Sequence, residues 1–97
     1  MKTDKLIIEF EWDKGNIGKN KKHKVEDKEA EEVFFDQSKV IFKDILHSNK
    51  EVRFILLGQT KKKRLLYIVY TQRKNKIRII SARNINKKEV SLYEKAT

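Results

Sequence analysis

The residues of this chain best suited to chemistry are four arginines of its second half and two histidines. Arg73 and Arg78 stand either side of the dipeptide Lys74-Asn75, Arg53 opens the preceding apolar run, and Arg83 closes the following one. A guanidinium is planar, permanently charged and able to hold two phosphate oxygens at once, so arginines gathered on one surface are suited to gripping phosphate. His23 and His47 are the only side chain type here whose ordinary pKa lies near neutrality, which makes each a candidate proton donor or acceptor. The lysines around His23 favour its neutral, accepting form. Asp44 or Glu51 could orient His47.

The elements that must position these groups follow from periodicity. RLLYIVYTQRKNKIRIISAR, residues 64–83, predicts two strands, Leu65–Arg73 and 76–83, folded back across a two-residue turn at Lys74-Asn75. That turn sets Thr71 opposite Arg78, Tyr70 opposite Ile79 and Ile68 opposite Ser81. Alternation then places Leu66, Ile68, Tyr70, Ile77 and Ile79 on a core face. Tyr67, Val69, Thr71, Arg73, Lys76, Arg78 and Ile80 fall on the other, a mixed face suited to phosphate.

Residues 5–12 alternate as a half-buried strand, expected antiparallel to the later ones. Asp13 stands where it could cap a weak helix over 14–24, whose lysines form a basic patch. The spacing predicts a better helix over 25–36. It has Glu26 as N-cap, Glu29 three residues on, a staple between Val25 and Ala30, and an apolar stripe of Ala30, Val33 and Phe34. Strands over 38–42 and 53–58 flank a loop over 44–52. Asn86 and Glu89 form a second capping pair ahead of a short helix, Lys87–Ala96. The expectation is one α+β domain spanning 1–97: a single antiparallel sheet, two helices in the first half, a short C-terminal helix, and all helices on one face.

Composition narrows the function. Residues 1–48 hold 10 Lys/Arg and 11 Asp/Glu, whereas residues 49–97 hold 14 and 3. That asymmetry points to a polyanion, or to an acidic protein docking on the second half. The chain has no cysteine, which removes thiolate zinc sites and disulfide scaffolds and suits a cytoplasmic protein. Neither a signal peptide nor a run of about 20 apolar residues is present, so no membrane role is expected. Ligand spacing for a metal, a glycine-rich phosphate loop and a hydrolase nucleophile elbow are all missing, and no cofactor is expected.

FEWD at 10–13, KKH at 21–23, AEEVFF at 30–35, DILHSNKEVRFILLG at 44–58, YTQR at 70–73 and IRIISARNINKKEVSLYE at 77–94 together resemble the BrnT family. These are ribonuclease toxins of type II toxin–antitoxin pairs, with a RelE-like fold. The resemblance implies RNA cleavage that arrests translation, neutralised by an antitoxin of ribbon-helix-helix type. It leaves open whether the ribosome takes part. The family carries a glycine after the KH pair where this chain has Lys24, so another residue is expected to make that turn. The region between Trp12 and His23 is also a residue short of some members.

RNA can be cut without metal by its own 2′-hydroxyl, given a base, an acid and fixed positive charge. Arg78, Arg73 and Arg53 are the candidates for the charge, with Arg78 first. His47 and His23 are candidates for proton transfer, and Tyr93 for polarising a phosphate or stacking on a base. Lys22, Arg83, Lys87 and Lys88 are the expected RNA-backbone contacts. The competing expectations are that individual arginines pair with Glu51, Glu89 or Glu94, that Tyr93 only packs the last helix, and that KKKR at 61–64 is a solvated turn. A noncatalytic RNA-binding module, or a degenerate toxin that only binds antitoxin, is the alternative function.

Overall fold

A computed structural model of the chain describes residues 8–47 and 50–96. Its organising element is the hairpin of β4 (Leu65–Arg73) and β5 (Lys76–Asn84), closed by a two-residue turn with Lys74 in the left-handed region at φ 54°. β3 (Arg53–Gln59) pairs antiparallel with β4, and β2 (Val40–Lys43) pairs antiparallel with β3. β1 (Glu9–Phe10) lies on the far side of β5 and runs parallel to it, so the strand order is β1-β5-β4-β3-β2. The sheet is therefore mixed rather than antiparallel. The early strand reaches β5 from the first half of the chain, and only the tertiary fold decides which way it lies. Residues 5–7 of the predicted strand lie outside the described residues.

The hairpin register agrees with expectation from the turn to Tyr70–Ile79, then breaks. Val69 pairs with Ser81 and Ile68 with Ala82, so Ile80 is an extra residue bulged out of β5. A one-residue insertion exchanges the faces of everything beyond it. Ala82 turns into the core, fully buried, and Arg83 turns to the opposite face beside Tyr67.

The core forms where Val25, Ala30, Val33 and Phe34 pack on Leu56, Leu66, Ile68, Tyr70, Ile79 and Ala82. Phe34 sits edge-on between the rings of Phe10 and Tyr70, with centroids 5.2 and 5.0 Å away, a favourable quadrupole geometry. The helix that delivers these residues, α1 (Asp27–Glu32), starts at the expected capping box. Glu26 and Glu29 exchange side-chain and backbone hydrogen bonds, and Val25 and Ala30 staple the entry. It then tightens into a 3₁₀ turn, Val33–Phe35, which lets backbone approach β3 closely. A Cβ at Gly58 would meet the Val33 carbonyl at 2.9 Å, so that contact requires glycine.

The predicted helix over 14–24 is instead a turn followed by a 3₁₀ helix, Lys19–His23, laid along the outer edge of β5. Two buried asparagines hold it there. Asn16 Nδ2 donates to the carbonyls of Glu11 and Ile79, and Asn20 Oδ1 accepts from the backbone N–H of Ala82. Side-chain amides thus continue the ladder where β1 ends. The turn after His23 is made by Lys24 itself, at φ 60° and ψ 34°. A lysine thus occupies the left-handed position itself, and the turn is not passed to another residue as expected.

α2 (Lys87–Ala96) begins at the predicted Asn86–Glu89 box, with reciprocal bonds of 2.9 Å. It does not join α1. Glu89 holds Arg83, which stacks on Tyr67, so α2 lies over the row Leu57–Tyr67–Arg83 on the face opposite the core. Leu57, fully buried although it points away from the core, shows that this face needs a cover. No helix among the described residues is long and apolar enough to cross a membrane.

Candidate functional site

The strand register builds the site. Arg53, Thr71 and Arg78 are cross-strand partners on β3, β4 and β5, and they share the face opposite the core. Arg53 and Arg78 are thus two strands apart, about 10 Å between backbones. Arg73 stands two residues further along β4 on the same face. Thr71 is buried beneath them and donates its hydroxyl to the Val52 carbonyl at 2.8 Å, tying the centre of the row to the base of β3.

Carboxylates interleave with these cations. Arg73 holds Glu51 through Nε and Nη2 at 2.6 and 3.2 Å and reaches Glu11 through Nη1 at 3.3 Å. Arg78 holds both oxygens of Asp13 at 2.9 and 3.0 Å and shares Glu11 at 3.1 Å. The result is a continuous chain, Glu51–Arg73–Glu11–Arg78–Asp13. Hydrogen bonding to Asp13 raises the Arg78 pKa above its ordinary value, and the same bond holds Asp13 below its own. Arg73 and Glu51 shift in the same opposed senses, chiefly through their mutual bond.

Asp13 is itself fixed. Its carboxylate accepts from the Gly15 N–H at 2.7 Å, and its own N–H donates to the Asn16 side chain at 2.8 Å. A Cβ at Gly15 would come within 2.5 Å of Arg78 Nη2, so the missing side chain makes room for the guanidinium. Asp13 therefore anchors an arginine rather than capping a helix. Glu11 and Asp13 escape a reading limited to arginines and histidines. The signal was present in the alternation of residues 5–12, which puts Glu11 opposite the core-facing Phe10, but using it required knowing that β1 pairs with β5.

His47 joins this end of the sheet. It closes a 3₁₀ turn, Ile45–His47, that follows β2, and its Nδ1 lies 3.2 and 3.0 Å from the two Asp44 oxygens. An ionised carboxylate only accepts, so Nδ1 donates in that bond and Nε2 is the ring nitrogen outside it. His47, Lys50, Glu51 and Arg53 line one cleft of about 320 Å³. A histidine and an arginine thus meet in one cleft.

The remaining candidates lie elsewhere. Lys22 and His23 are exposed at the Ala82–Asn84 end of β5. There Asn20 bonds Ala82, and Arg64 bridges Asn84 and the Lys24 carbonyl. Arg83 is five residues from Arg78, roughly 16 Å along the strand. It lies 3.8 Å over the Tyr67 ring and is forked by Glu89 at 3.0 and 2.7 Å. Lys87 and Lys88 are exposed on the first turn of α2. Tyr93 donates its hydroxyl to Asp36 at 2.7 Å at the Gln59 end of β3, where Asp36 also accepts from the Gln59 N–H. Burial and that bond push the Tyr93 phenol up to about 12. Among the described residues no three His, Cys, Asp or Glu side chains are gathered as metal ligands would be.

The fold is thus an α+β sheet with Arg53, Arg73 and Arg78 on one face and His47 on a turn beside Arg53. The chain matches a family described as the ribonuclease toxin, BrnT, of type II toxin–antitoxin systems, over residues 12–89, and it belongs to that family. Arg53, Arg73, Arg78, Arg83, His47, His23, Lys22, Lys87 and Lys88 fall within the matched span; Glu11 and Tyr93 fall outside it. No curated protein matches the chain.

Proposed function

We propose that this ribonuclease toxin is a metal-independent, RelE-like endoribonuclease that cuts mRNA in the cytoplasm, arrests translation and growth, and is neutralised by a cognate ribbon-helix-helix-type antitoxin. The observation that carries the reading is the row Arg53–Thr71–Arg78 with Arg73 beside it, meeting His47 at one end of a rigid sheet.

In this mechanism His47 Nε2 removes the proton of the 2′-hydroxyl, with Asp44 holding the ring. The 2′-oxygen attacks the adjacent phosphorus, the bond to the 5′-oxygen breaks, and the products are a 2′,3′-cyclic phosphate and a 5′-hydroxyl after that oxygen is protonated. Arg53, Arg73 and Arg78 stabilise the charge that accumulates on phosphorus-bound oxygens in the transition state. Asp13 and Glu11 occupy Nη1 and Nη2 of Arg78, and none of these three bonds uses its Nε–H. Lys22, Arg83, Lys87 and Lys88 contribute positive potential along the RNA backbone. His23 and Tyr93 take no part in the bond cleavage, because they stand at the other end of the sheet.

The noncatalytic reading draws on one specific observation: every hydrogen bond that the structure gives Arg73 runs to a carboxylate, as expected of a structural staple. Purified protein incubated with RNA in EDTA separates the two. Cleavage leaving 2′,3′-cyclic phosphate ends, lost in Arg78→Ala, supports the enzyme. Salt-dependent binding without cutting would leave only the binding module.

A further inference from the structure

The two edges of the sheet are treated differently. The β5 edge is sealed by β1 and then by Asn16 and Asn20. The β2 edge ends the sheet, and among the described residues no strand pairs with it. Alternate N–H and C=O groups of such a strand point outward and can accept another chain. Of the eight large apolar side chains that the described surface leaves exposed, five belong to this edge and the segments at its end: Ile41 and Phe42 on opposite faces of β2, Ile45 and Leu46 on the turn after it, and Val52 just before β3. Ile45 and Leu46 are the most open, at 80 and 84% exposed, on the turn that carries His47. Exposed apolar side chains are unremarkable singly, but several together beside an open edge mark a binding surface.

The flanking charges say what binds. Lys39, Lys43 and Lys50 surround the patch, while Asp44 is engaged with His47 and Glu51 with Arg73. A second copy pairing edge to edge would bring like lysines together in a chain already at net +10. A strand in which apolar residues alternate with carboxylates would instead satisfy the ladder, the patch and the charge together.

We infer that the β2 edge and the Ile45–Leu46 turn receive an extended, acidic and apolar segment of the neutralising protein. This rests on the antitoxin reading above and deepens it, because it specifies how silencing works. β2 runs directly into the turn bearing His47, and Phe42 is one row from Arg53. A segment paired along β2 and seated on Ile45 and Leu46 covers the mouth of the cleft and blocks RNA directly.

The test uses the whole toxin and the protein encoded beside it, co-expressed and purified, with Ile45→Ser/Leu46→Ser as the variant. Both side chains are solvent-exposed, so the fold is retained, which a thermal melt checks. Losing burial of two such side chains weakens the complex by about a hundredfold or more. RNA cleavage by the isolated variant stays at the wild-type rate, and co-expression no longer relieves growth arrest. Hydrogen exchange on the wild-type complex shows new protection of β2 amides. A wild-type complex that the variant still forms with equal affinity, or protection confined to α1 or α2, overturns the surface alone. Weakened RNA cleavage with unchanged complex formation reassigns the patch to RNA and also overturns it. Failure of the wild-type chains to associate at all overturns the neutralisation reading and this surface with it.

Discussion

The face opposite the core has two ends, each built around arginine and carboxylate, yet they are organised for different purposes. At the Arg83 end the guanidinium lies over the Tyr67 ring and is forked by Glu89, which α2 supplies. Asn86 caps α2 through the same Glu89, so one carboxylate serves a cap and an ion pair at once. At the Arg78 end the carboxylates come from two separate segments, residues 11–13 and Glu51, the arginine is more buried than Arg83, and a histidine-bearing cleft lies alongside. Residue type alone does not tell these two arginine–carboxylate clusters apart. The difference lies in what stands beside each, a capped helix at one end and a cleft lined by His47 and Arg53 at the other.

The sharpest way to break that comparison is to truncate one arginine from each end. Arg78→Ala should lower RNA cleavage by about 10²–10³-fold, the usual cost of losing a transition-state charge donor, and should also cost stability, because Asp13 and Glu11 lose their partner. Arg83→Ala should cost stability alone. It should cost about 1 kcal/mol of stability, a drop in Tm of about 4–8 °C, with RNA contacts weakened only modestly. If Arg83→Ala abolished cutting without lowering Tm, the two ends would have been assigned the wrong way round. His47→Gln should slow single-turnover cleavage by about a hundredfold, within the range for a general base. Asp44→Asn should have a smaller effect, because the ring remains and only its orientation loosens.

A finer probe leaves every charged group in place. Gly15→Ala should push the Arg78 guanidinium off Asp13, since the new Cβ would stand 2.5 Å from Nη2. A loss of about tenfold in kcat/KM with normal thermal stability is expected, in line with misplacing a positioned group. Wild-type kinetics would show that Arg78 works without its anchor.

Tyr93 tests the far end by pH. Its folded pKa is raised to about 12, so its bond to Asp36 contributes fully below the unfolded value near 10 and is lost as pH rises toward 12. Denaturant unfolding should show the stability gap between wild type and Tyr93→Phe narrowing across that window. A constant gap would mean that the phenol proton is not involved. The smallest effect is expected at Lys24. Lys24→Gly relieves a left-handed side chain and should stabilise the fold by up to about 1 kcal/mol by the same measurement.

What the amino-acid order determined by itself is whatever short-range hydrogen bonds and alternation specify. Both capping boxes, the Lys74-Asn75 turn, the bounds of β4, the core stripe of Ala30, Val33 and Phe34, and the registry of Thr71 with Arg78 involve groups near in sequence or strictly periodic. Arg73, Arg78 and Arg53 were legible as a set for that reason. The tertiary structure decided the rest. The parallel seating of β1, the Ile80 bulge that turns Arg83 to the opposite face, and the placing of Glu11 and Asp13 against Arg78 each depend on contacts across sixty or more residues, or on a single inserted residue that resets parity. Such contacts carry no local signature, because the closure of the chain and the packing of its sheet choose them only once the core has formed.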